Sequence, residues 1–81
     1  MTALERALEA VSDGFGFEHR GFSWSTAFAG CRVHLVWGLG GIVTLTAEET
    51  AVLADKAQLL AHHHAEMLTN VAGEALRRPR G

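Results

Sequence analysis

Residues 22–45 read FSWSTAFAGCRVHLVWGLGGIVTL, and the fold turns on this stretch. Phe22, Trp24, Thr26 and Phe28 alternate with Ser23, Ser25 and Ala27. After Ala29-Gly30, Cys31, Val33, Leu35 and Trp37 alternate with Arg32, His34 and Val36. A period of two belongs to a strand with one face buried, and aromatic and β-branched residues suit that pleated surface. Gly38, Gly40 and Gly41 then make a flexible turn before a third short run, Ile42 to Leu45. Two successive hairpins give a three-stranded antiparallel meander. Phe15 to His19 is a candidate fourth strand at its edge.

On both sides of this stretch the period changes to 3.6. Near the start, Leu4, Ala7, Leu8 and Val11 share one helical face, and Asp13-Gly14 ends the pattern. Thr2 and Glu5 have capping-box spacing, in which the hydroxyl takes an orphan N–H and the carboxylate reaches back. Thr46 and Glu49 repeat that spacing and open a second helical pattern that runs to at least Ala72. Steps of 100° put Leu53, Ala57, Leu60, Met67, Leu68, Val71 and Ala75 on one side of it. Asp55, Gln58, His62, Glu66 and Thr69 fall opposite, and His64 interrupts the apolar stripe between Leu60 and Leu68. Gly73 weakens or ends this helix, and Pro79 rules out much continuation.

The expected fold is a small α+β domain of the order αβββα. A short N-terminal helix and a long C-terminal helix pack on one face of the meander. Residues 1–76 form the domain, and residues 77–81 form a basic flexible tail with Arg77, Arg78 and Arg80. A straight helix over 47–72 would be about 39 Å long at 1.5 Å per residue. A compact chain of this length has a diameter of roughly 30 Å. The helix therefore overhangs the sheet, breaks, or packs against another copy.

Composition narrows the function classes. The chain has 81 residues, 48% hydrophobic, with a formal charge of −2, which fits one globular domain and not a disordered segment. Its single cysteine, Cys31, excludes an intramolecular disulfide and argues against a cysteine-based zinc site. The opening, Met1 to Val11, is amphipathic and carries Glu5 and Glu9, so no secretory signal is expected. The longest apolar run, Leu35 to Val43, is too short to span a bilayer. A cytoplasmic protein is expected, with no membrane partner. The acids cluster in the helical segments, while residues 19–46 hold Arg20 and Arg32 and no acid. A nucleic-acid binder usually shows a denser basic stripe.

The chemistry-bearing residues do not assemble into a reactive site. His62, His63 and His64 are consecutive, so on a helix they point about 100° apart and cannot converge on one ion. His62 and Glu66 have ligand spacing, but two ligands are too few. Cys31 and His34 are an odd number of positions apart, which places them on opposite faces of a strand. Gly38-Leu39-Gly40-Gly41 lacks the Lys-Ser/Thr ending of a phosphate loop and leads into a strand. No catalytic residue, cofactor or metal is expected.

The order helix–strand–strand–strand–helix resembles the double-stranded-RNA-binding domain. That family reads RNA through a basic start to its last helix and a loop between its first two strands. Here the last helix opens Thr46-Ala47-Glu48-Glu49, whose carboxylates repel phosphate. The resemblance implies a topology and not an RNA function.

The expected function is a non-enzymatic protein–protein interaction module that works by occupying a partner surface. Small inhibitors from phages and mobile elements, anti-CRISPR proteins among them, share that profile. The expected interface is the far end of the long helix, namely His64, Met67, Leu68 and Val71 with Glu66 and Glu74 at its rim. It suits a partner with a cationic surface, or a second copy in a homodimer. The alternatives are a nucleic-acid-binding accessory protein using the basic sheet and tail, and a metal-binding protein using His62 and Glu66.

Overall fold

The computed structural model describes residues 2–13, 25–37, 41–60 and 65–78. The first helix, α1, spans Ala3–Ser12. Its capping box is closed on both sides. Thr2 Oγ1 accepts the Glu5 N–H at 3.1 Å, and Glu5 Oε1 accepts the Thr2 N–H at 2.9 Å. The Thr2 backbone N–H and, to a lesser degree, its side chain hold the Glu5 carboxyl below the ordinary value of 4.5. Ala7, Ala10 and Val11 are the buried face.

Three strands follow: β1 (Ser25–Ala29), β2 (Arg32–Trp37) and β3 (Gly41–Leu45). They lie in the order β1-β2-β3, antiparallel throughout. The β1–β2 hairpin is tight, because Ala29 pairs with Arg32 and Gly30 turns the chain at φ +64°, a left-handed backbone that glycine adopts freely. The register sorts side chains by face. Thr26, Leu35 and Val43 form one inward row, and Phe28, Val33 and Leu45 the next. Ser25, Val36 and Ile42, then Ala27, His34 and Thr44, form the outward rows. Trp37 turns inward and lies across Gly41, where a Cβ would overlap the indole atoms Cε2 and Nε1. The possible edge strand at Phe15 to His19, together with Phe22 and Trp24, lies outside the described residues.

The C-terminal part departs from the expected single long helix. The chain forms α2 (Ala47–Leu59) and α3 (Ala65–Arg77), with Leu60 as the C-cap of α2. The fold is thus a small α+β domain, in which the three helices among the described residues pack on one face of the meander. The physical reason for the break is size. A rod of about 39 Å would outrun a compact chain of this length, roughly 30 Å across, whereas two helices of about 20 Å each fold back on the core and give a domain of 36 × 24 × 24 Å. The capping box of α2 matches that of α1: Thr46 Oγ1 accepts the Glu49 N–H and Glu49 Oε1 accepts the Thr46 N–H. Thr50, buried, donates its hydroxyl to the Thr46 carbonyl at 2.8 Å.

All three helices and the sheet meet in one core of Val11, Leu35, Val43, Leu45, Leu53, Ala57 and Leu68. A second cluster of Val33, Ala47, Val71 and Ala75 packs with Phe28 beside it. Leu60 and Met67, expected on the sheet-facing stripe, are about half exposed, Leu60 as the C-cap where α2 ends. Gly73 sits inside α3 and does not end it. Arg78 stacks over the Phe28 ring, its Cζ 4.0 Å from the centroid, so the start of the basic tail packs on the domain.

Candidate functional site

The residues expected at an interface are separated by the fold. Leu68 is fully buried and Val71 nearly so, both within the chain's own core. Met67 is half exposed and Glu66 is exposed. Glu74 is half-buried and pairs with Arg77 at 3.4 Å and Arg78 at 3.6 Å. His64, with His62 and His63, lies outside the described residues. Leu68 and Val71 are thus covered within the chain's own core, because α3 folds back instead of overhanging, while Met67 stays half exposed.

The chemistry-bearing residues stay apart as well. Cys31 stands in the β1–β2 turn, half-buried. His34 is on the outward sheet face, with Nδ1 2.7 Å from Thr44 Oγ1. Among the described residues no three His, Cys, Asp or Glu side chains gather as metal ligands. No helix among them is long and apolar enough to cross a membrane.

An open apolar groove lies between α2 and α3. It has a volume of about 270 Å³ and is lined by Ala51, Ala54, Asp55 and Gln58 from α2 and Thr69, Ala72, Gly73 and Leu76 from α3. Ala54 and Ala72 are buried and form its floor. The cause is local. Small residues recur where the two helices face each other, so no side chain fills the space above the backbone. One end is bridged by Gln58 Nε2, which donates to Thr69 Oγ1 at 3.1 Å, while that hydroxyl donates to the Ala65 carbonyl at 2.9 Å. Leu76, seven residues along α3 from Thr69 and thus about 10 Å away, is 57% exposed. The groove has an apolar floor, an apolar wall at Leu76, and a carboxylate at Asp55.

The helical stripe reading missed this groove. It sorted residues into an apolar and a polar side and placed Asp55, Gln58 and Thr69 on the latter. The available signal was the run of small residues flanking those polar ones: Ala51, Ala54, Ala72 and Gly73.

Comparison with models of protein families, with curated proteins and with solved structures finds no match to this chain.

Proposed function

We propose that this chain is a non-enzymatic protein–protein interaction module that docks a partner in the α2–α3 groove. The observation that carries the reading is the groove itself, an apolar channel with a few polar groups at its margin on a domain with no converging reactive side chains among the described residues. A space of about 270 Å³ exceeds the roughly 150 Å³ cavity that accommodates benzene, so one large apolar side chain fits. Two antiparallel helices also form the ridged surface on which a third helix packs. Asp55 at the margin favours a basic residue beside the apolar anchor. The mode of action is occupation of a partner's surface, as in small inhibitors encoded by phages and mobile elements, anti-CRISPR proteins among them.

A groove-filling variant tests this. At Gly73 a Cβ would meet only Arg77 Nη1, at an ordinary contact distance of 3.5 Å. Gly73→Leu thus fills the groove while leaving the fold intact, which circular dichroism checks. Affinity capture from cells of the source organism, quantified by mass spectrometry, should yield a protein held by the wild type and lost by Gly73→Leu. Identical capture by both would remove the groove from any binding role.

A further inference from the structure

The solvent face of α3 has a charge pattern of its own. Glu66, Asn70, Gly73 and Arg77 follow one another at steps of four, three and four residues, so they lie along one line of the helix. Glu66, Asn70 and Arg77 are exposed and Gly73 is half-buried. The line is antisymmetric, with an acid at one end and a base at the other, both equally far from the midpoint between residues 71 and 72.

We propose that a second copy of this chain docks on this face, antiparallel, about a two-fold axis through that midpoint. Turned end for end, the copy sets Glu66 beside the partner's Arg77 and Arg77, which Glu74 of its own helix already holds at 3.4 Å, beside the partner's Glu66. Asn70 then faces the partner's Gly73. A parallel copy would set like charge against like, so charge selects the antiparallel arrangement. Gly73 has no side chain and open space above it apart from the Arg77 guanidinium, which lets the two helix backbones come close. Leu76, more than half exposed on the flank nearest α2, then meets the partner's Thr69. Asp55 on α2 sits on that same flank. Carboxylates repelling across the axis splay the two α2 helices, so the contact is confined to α3.

The footprint sets the strength. A helix of 13 residues is about 20 Å long and about 10 Å wide, which is a contact well short of the roughly 800 Å² per partner of a standard interface. The dimer is weak and belongs with transient associations, so it forms at high protein concentration and low salt. The proposal does not rest on the groove reading, although the two surfaces share Thr69, Gly73 and Leu76, so a second copy and a groove-bound partner compete.

Sedimentation equilibrium between about 10 µM and about 1 mM protein, at low and at high salt, is the test. The wild type should rise from 8.7 kDa toward twice that mass at low salt and revert at high salt. Glu66→Arg and Arg77→Glu should each weaken association about tenfold or more, and the double variant should recover it. Both changes oppose the helix dipole, so circular dichroism accompanies each, and Glu66→Gln and Arg77→Gln serve as milder versions that lose only the salt dependence. A wild type that stays monomeric overturns the proposal. So does a dimer that persists in both single variants, or a double variant that fails to recover. If self-association fails while Gly73→Leu still abolishes capture of another protein, the groove reading stands alone.

Discussion

Replacing Leu68 with Ala separates a core residue from an interface residue, and its neighbour Met67 supplies the control. Leu68 is fully buried, among Leu53, Ala57 and Ala65 from the helices and Leu35 and Leu45 from the sheet. Truncation removes three carbons from water-free surroundings, about 2.4 kcal/mol at about 0.8 kcal/mol per methylene, and leaves a cavity besides. The expected loss is about 3 kcal/mol. A chain of 81 residues has a total stability of about 4–12 kcal/mol, so this one change takes a large share of it. The melting temperature should fall by about 12–24 °C, at roughly 4–8 °C per kcal/mol for a domain of this size. Met67 is half exposed, and Met67→Ala should cost less than about 1 kcal/mol. Urea denaturation followed by circular dichroism measures both, at a protein concentration where the chain is monomeric. Equal small losses at the two positions would refute the reasoning. They would mean that α3 does not present Leu68 to the core and that the fold-back of the chain is wrong.

Three further outcomes follow from local geometry. Gly41→Val should displace the Trp37 indole and lower stability, because a Cβ at Gly41 overlaps the ring; near-UV circular dichroism should lose intensity, and an unchanged spectrum would contradict the packing. Thr50→Val keeps the shape of a buried side chain but removes its hydrogen bond to the Thr46 carbonyl, so a loss of about 1 kcal/mol is expected in a thermal melt. Glu5 has its folded pKa lowered below the ordinary 4.5 by the Thr2 bonds, so its contribution is present above that value and is lost as pH falls through the folded pKa. Thr2→Ala removes the hydroxyl but keeps the backbone N–H, so it should move the Glu5 titration, followed by NMR, only part of the way back up; no movement would show that the capping box is open in solution.

The meander was legible because a period of two survives in residues 25–37 and 41–45. Thr26, Phe28, Val33, Leu35, Trp37, Val43 and Leu45 all turn inward as their alternation requires. Both capping boxes were legible for the same kind of reason, a short-range spacing with one geometric solution. The resemblance to the double-stranded-RNA-binding domain in element order ends at Leu60, where the last helix becomes two.

That break was invisible to periodicity, and the reason is physical. The buried positions of α2 include Leu53 and Ala57, and those of α3 include Ala65, Leu68, Val71 and Ala75. The gap from Ala57 to Leu68 is eleven residues, close to three helical turns of 3.6. A helix that stops and one that continues can therefore show the same apolar rhythm, since each half must bury a stripe in a shared core. Length was the stronger guide, because a rod of about 39 Å cannot lie on a compact body roughly 30 Å across and keep both ends covered. The same fold-back that buries Leu68 and Val71 also lays Ala51 and Ala54 against Ala72 and Gly73 and so creates the groove. The surface available for binding is thus a product of the break. Where a straight helix would offer its apolar stripe, the folded hairpin offers the seam between its two halves.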